Sequence, residues 1–450
     1  MINSKRLKPN ILFIVLDGCR ADKFYDNKNF KTPVIDSLIK QGSYFSQAIS
    51  STDYTISAIS SIFTSRYPFG VGETKEYYDK THSESTSYIT NLKSNGYNCY
   101  ATMHSALDAM GFSSYFENDN QSYQGKDVQL HSGLGEKTLG MLKPNVMKSP
   151  WIYFIHVLAF HRPIRVPDFE KMSINERYEL MMEIVDSWLA KILDTIDLKN
   201  TLLVITSDHG DYIPVIDNTA KQSGPIIEKS KSFIKNFLPK TQVTNIHKKK
   251  KEILRQVRSS KLKTSYEKRS LNERPDENRF QFDELIRVPL LFAGYGVPSR
   301  GEIPDLVRSI DIFPTIESIL DLPKKKSDIH GRSLFSLIEN EEMEEFPVYM
   351  ESTTIHTGQK SPKAVIGIRT SSHKYFRSLK NPNENCHLYD LRVDPKEENN
   401  LAEKNPEKVT EMEKLLEEIR VKTSFDTHSE KYSKDESIRV EEELKKLGYI

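Results

Sequence analysis

The chain predicts an α/β fold: a doubly wound, mainly parallel sheet followed by a smaller C-terminal α+β subdomain. Three observations carry this. The run 11–16 (ILFIVL) is uniformly apolar, as a strand covered on both faces requires, and further strands are expected at 98–103, 151–157, 201–206 and 288–293. Segments of helical periodicity separate them, which is the spacing of βαβ units. Beyond residue 342 the pattern changes to short strands at hairpin-length intervals and one helix.

Composition narrows the class. The 450 residues hold 37% hydrophobic and 28% charged residues, ordinary for a soluble globular protein, and 64 basic against 63 acidic residues predict no overall attraction to polyanions. Nucleic acid is therefore not an expected partner. Cys19, Cys99 and Cys386 are too widely spaced for a disulfide framework or a zinc motif and fit a reducing compartment. The first apolar run, 11–16, is too short for a signal core or a membrane span, so a cytoplasmic location is expected.

In chain order, 11–16 is a strand with Asp17 at its carboxyl end, and 33–41 is a helix closed by Gly42. From Thr55, the residues Ile56, Ile59, Ile62 and Phe63 fall at helical spacing, placing Thr55 in the first turn of a helix that buries one face. A helix start offers free N–H groups and a positive dipole end, which suits an anionic substrate; an ordinary helix cap is the competing role for Thr55. A helix at 83–95 closed by Gly96 leads to the strand 98–103, directly after which His104 stands. The strand 151–157 runs into Phe160 and His161, a helix at 176–198 follows, and the strand 201–206 runs into Ser207, Asp208, His209 and Gly210. Residues 216–278 interrupt this order with 16 Lys or Arg against 7 Asp or Glu, a local charge of +9. This basic insert begins six residues after Gly210, so it is expected beside the mouth of any site built there. The C-terminal strands are expected at 347–352, 364–370, 374–379 and 387–391, with helices at 406–421 and 433–447. A division at 1–342 and 343–450 follows.

In a doubly wound sheet, ligands collect beyond the carboxyl ends of the strands. Asp17, Asp208 and His209 should converge there, and two carboxylates with an imidazole make a ligand set for one divalent ion among Ca, Mn, Mg and Zn. Thr55 could complete it. A bound ion lowers the pKa of a coordinated hydroxyl and so turns a weak alcohol into a nucleophile.

These stretches resemble the sulfatase family of the alkaline phosphatase superfamily. PNILFIVLDGCRAD is similar to its opening strand and metal turn, KTPVIDSLIKQGSYFSQAIS to the approach to the nucleophile, TISAISSIFTSRYP to the nucleophile helix and NTLLVITSDHGD to the second metal motif. FDELIRVPLLFAG, SIDIFPTIESILDL, HGRSL and CHLYDLRVDPKEENNLAEK continue the likeness to the C-terminal subdomain. The resemblance implies an alkaline-phosphatase-like fold, Asp17, Asp208 and His209 as metal ligands, and Thr55 as metal-bound nucleophile. It implies a substrate-binding or proton-donating role for His161 in FIHVLAFHRPI; Arg279 and His104 are further substrate-binding candidates. The chain departs from the family where formylglycine is made: Thr55, Ile56, Ser57, Ala58 and Ile59 stand in place of C-x-P-x-R, and Gly18 replaces an acidic residue. A Thr nucleophile looks more like the phosphoethanolamine and phosphoglycerol transferases, including lipoteichoic acid synthases.

The expected activity is therefore a metal-dependent ester hydrolase or transferase using Thr55, with phosphoesters or phosphodiesters favoured and a small-molecule or glycan-linked anionic ester as substrate. A sulfuric ester hydrolase is the alternative. A non-catalytic anion-binding protein on the same fold is the second.

Overall fold

The computed structural model describes residues 8–25, 30–68, 87–124, 129–161, 164–168, 170, 172–213, 262–270, 280–323, 329–352, 364–422, 438 and 442. Arg279, all of the basic insert except 262–270, and the terminal helix at 433–447 apart from 438 and 442 lie outside the described residues.

The central sheet comprises β1 (Asn10–Leu16), β2 (Ser43–Ile49), β3 (Asn98–His104), β4 (Ser122–Tyr123), β5 (Trp151–Val157), β6 (Thr201–Thr206), β7 (Arg287–Gly294) and β8 (Gly301–Arg308), in the spatial order β4-β3-β5-β1-β6-β7-β2-β8. All neighbours are parallel except β7, which runs antiparallel to both β6 and β2. β1 is thus central, with β5 and β6 on its flanks.

Period-two alternation sends the side chains of these strands to two separate cores. Phe13, Val15, Phe154 and Val204 join a core with the helices Thr55–Thr64, Tyr88–Ser94 and Ile312–Ile319. Leu12, Ile14, Tyr153, Ile155 and Ile205 join a second with Pro33–Gln41, Leu134–Met141 and Ile174–Leu193. The result is three layers, helices on both faces of one sheet.

Sequence expectations that differ from the structure do so for definable reasons. β2 and β8 carry no clean strand signal: β2 contains Ser46 and Gln47 at a register shift between Phe45 and Ala48, and β8 carries Pro304, tolerated because β8 is the edge strand. The long helix ends at Leu193, not 198, because Asp197 takes the backbone N–H of Lys199 and the Asn200 side chain into a turn. Gly42 does follow its helix, but in extended conformation (φ −124°). A Cβ there would meet the Phe292 carbonyl oxygen at 2.3 Å, so close approach to β7 demands the glycine. Gly96, with φ +81°, is the left-handed stop expected.

The Thr55–Thr64 helix was expected to bury one face, yet all ten of its residues are buried. It is enclosed by the Ile312–Ile319 helix, the 309–311 turn and the Tyr88–Ser94 helix. Its three serines and terminal threonines therefore sit inside, as Thr64 illustrates by donating its hydroxyl to the Ser60 carbonyl at 2.8 Å. Phe63 anchors it, with ring centroids of Phe112, Phe154 and Phe313 at 5.7, 5.0 and 5.8 Å in edge-on geometry.

The C-terminal sheet is antiparallel, in the order β12-β11-β10-β9, from β9 (Val348–Glu351), β10 (Val365–Arg369), β11 (His373–Ser378) and β12 (His387–Asp390). The helix Pro406–Lys422 covers it through Met412 and Leu416. Thr52, three residues before Thr55, forms a parallel bridge with Glu351, so β9 abuts the segment entering the Thr55 helix.

Phe63→Ala should lower the unfolding free energy by ~3–5 kcal/mol through cavity formation at this aromatic junction, measured by denaturant titration.

Candidate active site

The positions of the site residues follow from strand register. Val15 of β1 pairs with Thr206 of β6 and with His156 of β5. Asp17 and Asp208 each lie two residues beyond those partners, so the two carboxylates come side by side at the strand ends. His156 reaches the same place from within β5. Its parity with Phe154 puts it on the face covered by the Thr55 helix.

Both carboxylates are fully buried. Asp208 Oδ1 accepts the backbone N–H groups of His209 at 2.9 Å and Gly18 at 3.3 Å. Its Oδ2 faces inward, with Nε2 of His209 at 3.5 Å and Nε2 of His156 at 4.0 Å. Asp17 turns Oδ1 toward His209 Nε2 at 4.0 Å and Oδ2 toward His156 Nε2 at 3.8 Å. Burial alone would raise the Asp208 pKa, but the His209 and His156 imidazoles hold it below the ordinary carboxylate range.

His209 has a defined tautomer. Its Nδ1 lies 2.7 Å from the Gly210 carbonyl oxygen, which can only accept, so Nδ1 carries a proton and Nε2 is the nitrogen turned toward the carboxylates. Thr55 Oγ1 is 3.1 Å from that Nε2. The N-cap of the helix is Tyr54, with no side-chain cap bond, so Thr55 is the first helical residue and its hydroxyl is directed to the site. This corrects the helix-cap reading. The ligand atoms of Asp17, Asp208 and His209 all lie within 4.8 Å of one another. Two buried carboxylates and an imidazole lone pair converging at separations longer than hydrogen bonds fit a divalent cation between them.

Three residues set the surrounding backbone. Ser207 stitches the strand ends together: its hydroxyl accepts the Cys19 N–H at 3.0 Å and lies 2.5 Å from the Leu16 carbonyl oxygen and 2.7 Å from that of His209. Gly210 donates its N–H to the Leu285 carbonyl at 2.8 Å, and a Cβ on it would stand 2.2 Å from the Glu284 carbonyl oxygen. Gly18 has φ +77°, and a Cβ on it would meet the Phe160 carbonyl group at 3.1 Å. Glycine takes up that left-handed turn without strain, and no acidic side chain stands at position 18.

The same contact locates His161. Phe160 donates its N–H to the Asp17 carbonyl at 3.0 Å and packs its ring on Tyr178 at 4.5 Å, whose hydroxyl accepts the Arg20 N–H at 2.9 Å. The half-buried His161 therefore starts beside the Asp17–Gly18 turn. His104, at the end of β3, is buried: its Nδ1 accepts the Ala106 N–H at 3.2 Å and its ring meets Tyr123 edge-on at 5.2 Å. Within the insert, Arg269 pairs with Glu284 and stacks over Phe282 at 4.1 Å, so this part of the basic charge is held against the 283–286 turn that touches Gly210. His156 and the bracing role of Ser207 are the features that motif reading missed. Strand parity in FIHV could have found the first.

Ser207→Ala should lower thermal stability and weaken binding of divalent ion by about 10-fold, read from melting curves and metal titration of the purified protein, because it frees the two strand ends from one another.

Comparison with known proteins agrees with this architecture. The Sulfatase family model matches residues 9–322, and a model described as N-sulphoglucosamine sulphohydrolase, C-terminal, matches residues 276–422. Among curated relatives, arylsulfatase K of Mus musculus is 26% identical over 163 residues, a match spanning 35% of this chain and 29% of the mouse protein. A solved 2-O GAG sulfatase superposes with a TM-score of 0.65 at 16% identity, covering 94% of this chain and 95% of its own. The phosphonate monoester hydrolase of Agrobacterium radiobacter superposes with 0.63 at 14% identity, covering 92% and 96%. At these identities the structural likenesses show the fold. With the family model matched over residues 9–322, which include both aspartates, the threonine and the histidines of the site, the chain belongs to the sulfatase family.

Proposed function

We propose that the protein is a metal-dependent ester hydrolase or transferase in which Thr55 is the nucleophile, with phosphate mono- or diesters as the favoured substrates. The observation that supports this most is the Thr55 hydroxyl at 3.1 Å from His209 Nε2, inside a buried pair of carboxylates, at the start of a helix. A divalent ion held by Asp17, Asp208 and His209 would supply Lewis acidity and bring the Thr55 hydroxyl to its nucleophilic form.

The chain's own residues account for the remaining steps. The positive dipole end at the start of the Thr55–Thr64 helix favours an anionic substrate there. Thr55 Oγ, its proton passed to solvent on activation, forms a bond to phosphorus as the bond to the leaving oxygen breaks, and His161, beginning beside the Asp17–Gly18 turn, donates a proton to that oxygen. Water then cleaves the Thr55 ester in a hydrolase, or an acceptor alcohol does so in a transferase. Buried carboxylates and closely packed turns keep bulk water from the carboxylate pair.

Sulfate esters are the second reading, favoured by the names of the relatives. Against it stands the chemistry of the nucleophile: a threonine sulfate lacks the aldehyde hydrate through which formylglycine eliminates sulfate. A reducing, cytoplasmic setting is retained as part of the proposal, on the cysteine pattern; no described helix is long and apolar enough to cross a membrane.

Nitrophenyl phosphate, phosphodiester, phosphonate and sulfate esters assayed with Mn, Mg, Ca or Zn test the reading. Thr55→Ala should lower kcat by ~10³-fold or more with the melting temperature nearly unchanged, and Thr55→Ser should keep part of the activity. A near-normal kcat for Thr55→Ala discards the mechanism. A chelator should abolish turnover, with recovery on adding back one divalent ion.

A further inference from the structure

We propose that His156 is a fourth protein ligand of the ion, and that its nitrogen makes the site selective for a borderline transition metal such as Zn over Ca or Mg. This rests on the reading that Asp17, Asp208 and His209 hold an ion.

His156 lies in the middle sheet layer, 1% exposed, and neither of its ring nitrogens has a hydrogen-bond partner. A polar side chain buried without a partner is costly, so its persistence in a core strand calls for a ligand. Its Nε2 is aimed between the carboxylates, 3.8 Å from Asp17 Oδ2 and 4.0 Å from Asp208 Oδ2. His209 approaches the same pair from the other side, 4.0 Å from Asp17 Oδ1 and 3.5 Å from Asp208 Oδ2. Each imidazole thus faces both carboxylates. Bonds of about 2.0–2.2 Å to an ion imply separations of about 3.3–3.6 Å between adjacent ligand atoms, so the imidazole–carboxylate spacings of 3.5 to 4.0 Å need to close by up to about 0.7 Å. Such spacings are too long for direct hydrogen bonds.

The donor set decides the metal class. Three oxygens or more from carboxylates and hydroxyls suit Ca and Mg, whereas two imidazoles shift preference to Zn. Glycine at position 18 offers no oxygen donor, and His156 would contribute a nitrogen.

Apo protein titrated with Zn, Mn and Ca, and with Co as a spectroscopic probe, tests this. His156→Ala should weaken Zn and Co binding by ~100-fold, change Ca binding by less than about 3-fold and reduce the visible absorption of bound Co. Unchanged Zn affinity and an unchanged Co spectrum overturn the proposal. Should the variant fail to fold, proton NMR of the Co-loaded wild type decides: two strongly shifted, exchangeable imidazole N–H signals are expected, from His209 and His156, and a single one overturns it. Asp208→Ala separates the two levels of argument, since undiminished ion binding there removes the metal site altogether, whereas its loss alongside an unaffected His156→Ala removes only the fourth ligand.

Discussion

Two carboxylates lie fully buried at the ends of adjacent parallel strands, and the rest of the site is arranged around that repulsion. Two like charges 4 Å apart repel by about 4 kcal/mol at an effective dielectric constant of 20, and burial adds a desolvation penalty to each. Register gives neither strand a way out, because pairing Val15 with Thr206 carries Asp17 and Asp208 to the same edge together. What offsets the repulsion is local and directional: backbone N–H groups on Asp208 Oδ1, imidazoles beside the inward oxygens, and space for a cation among them.

That arrangement requires backbone that cannot drift. Ser207 ties the two strand ends, Gly18 admits the Phe160 carbonyl and Gly210 admits the Glu284 carbonyl, so three small residues hold the turns closer than side chains would allow. The Thr55 helix is braced from the opposite side by complete burial and by the aromatic contacts of Phe63. Its hydroxyl is thereby delivered to His209 by packing and not by a flexible loop. The glycine at position 18 belongs to the same turn, where a positive φ and the nearby Phe160 carbonyl group favour a residue without a side chain.

The C-terminal sheet serves the site indirectly. β9 bridges Thr52, and Glu397 accepts the Asp283 N–H at 2.8 Å while Arg269 of the insert joins Glu284. The 283–286 turn that receives Gly210 is therefore clamped between the second sheet and the end of the basic insert, which links an antiparallel module to the position of the metal motif.

The sequence by itself determined the sheet-and-helix order, the C-terminal sheet, and the identity of Asp17, Asp208, His209 and Thr55 as a set, because uninterrupted apolar runs and polar residues at their ends are local signals. It also carried the departure from C-x-P-x-R, legible residue by residue. Only the tertiary structure decided what depends on neighbours distant in sequence. β2 and β8 became strands by pairing with each other and with β7 despite weak local patterns. Gly42 proved to be a contact with β7, not a left-handed cap. His156 entered the site although a histidine in an apolar run reads as core, because register places Nε2 beside carboxylates that follow the ends of strands β1 and β6. Side-chain convergence is set by strand order and register, and neither quantity is written in any single stretch of chain.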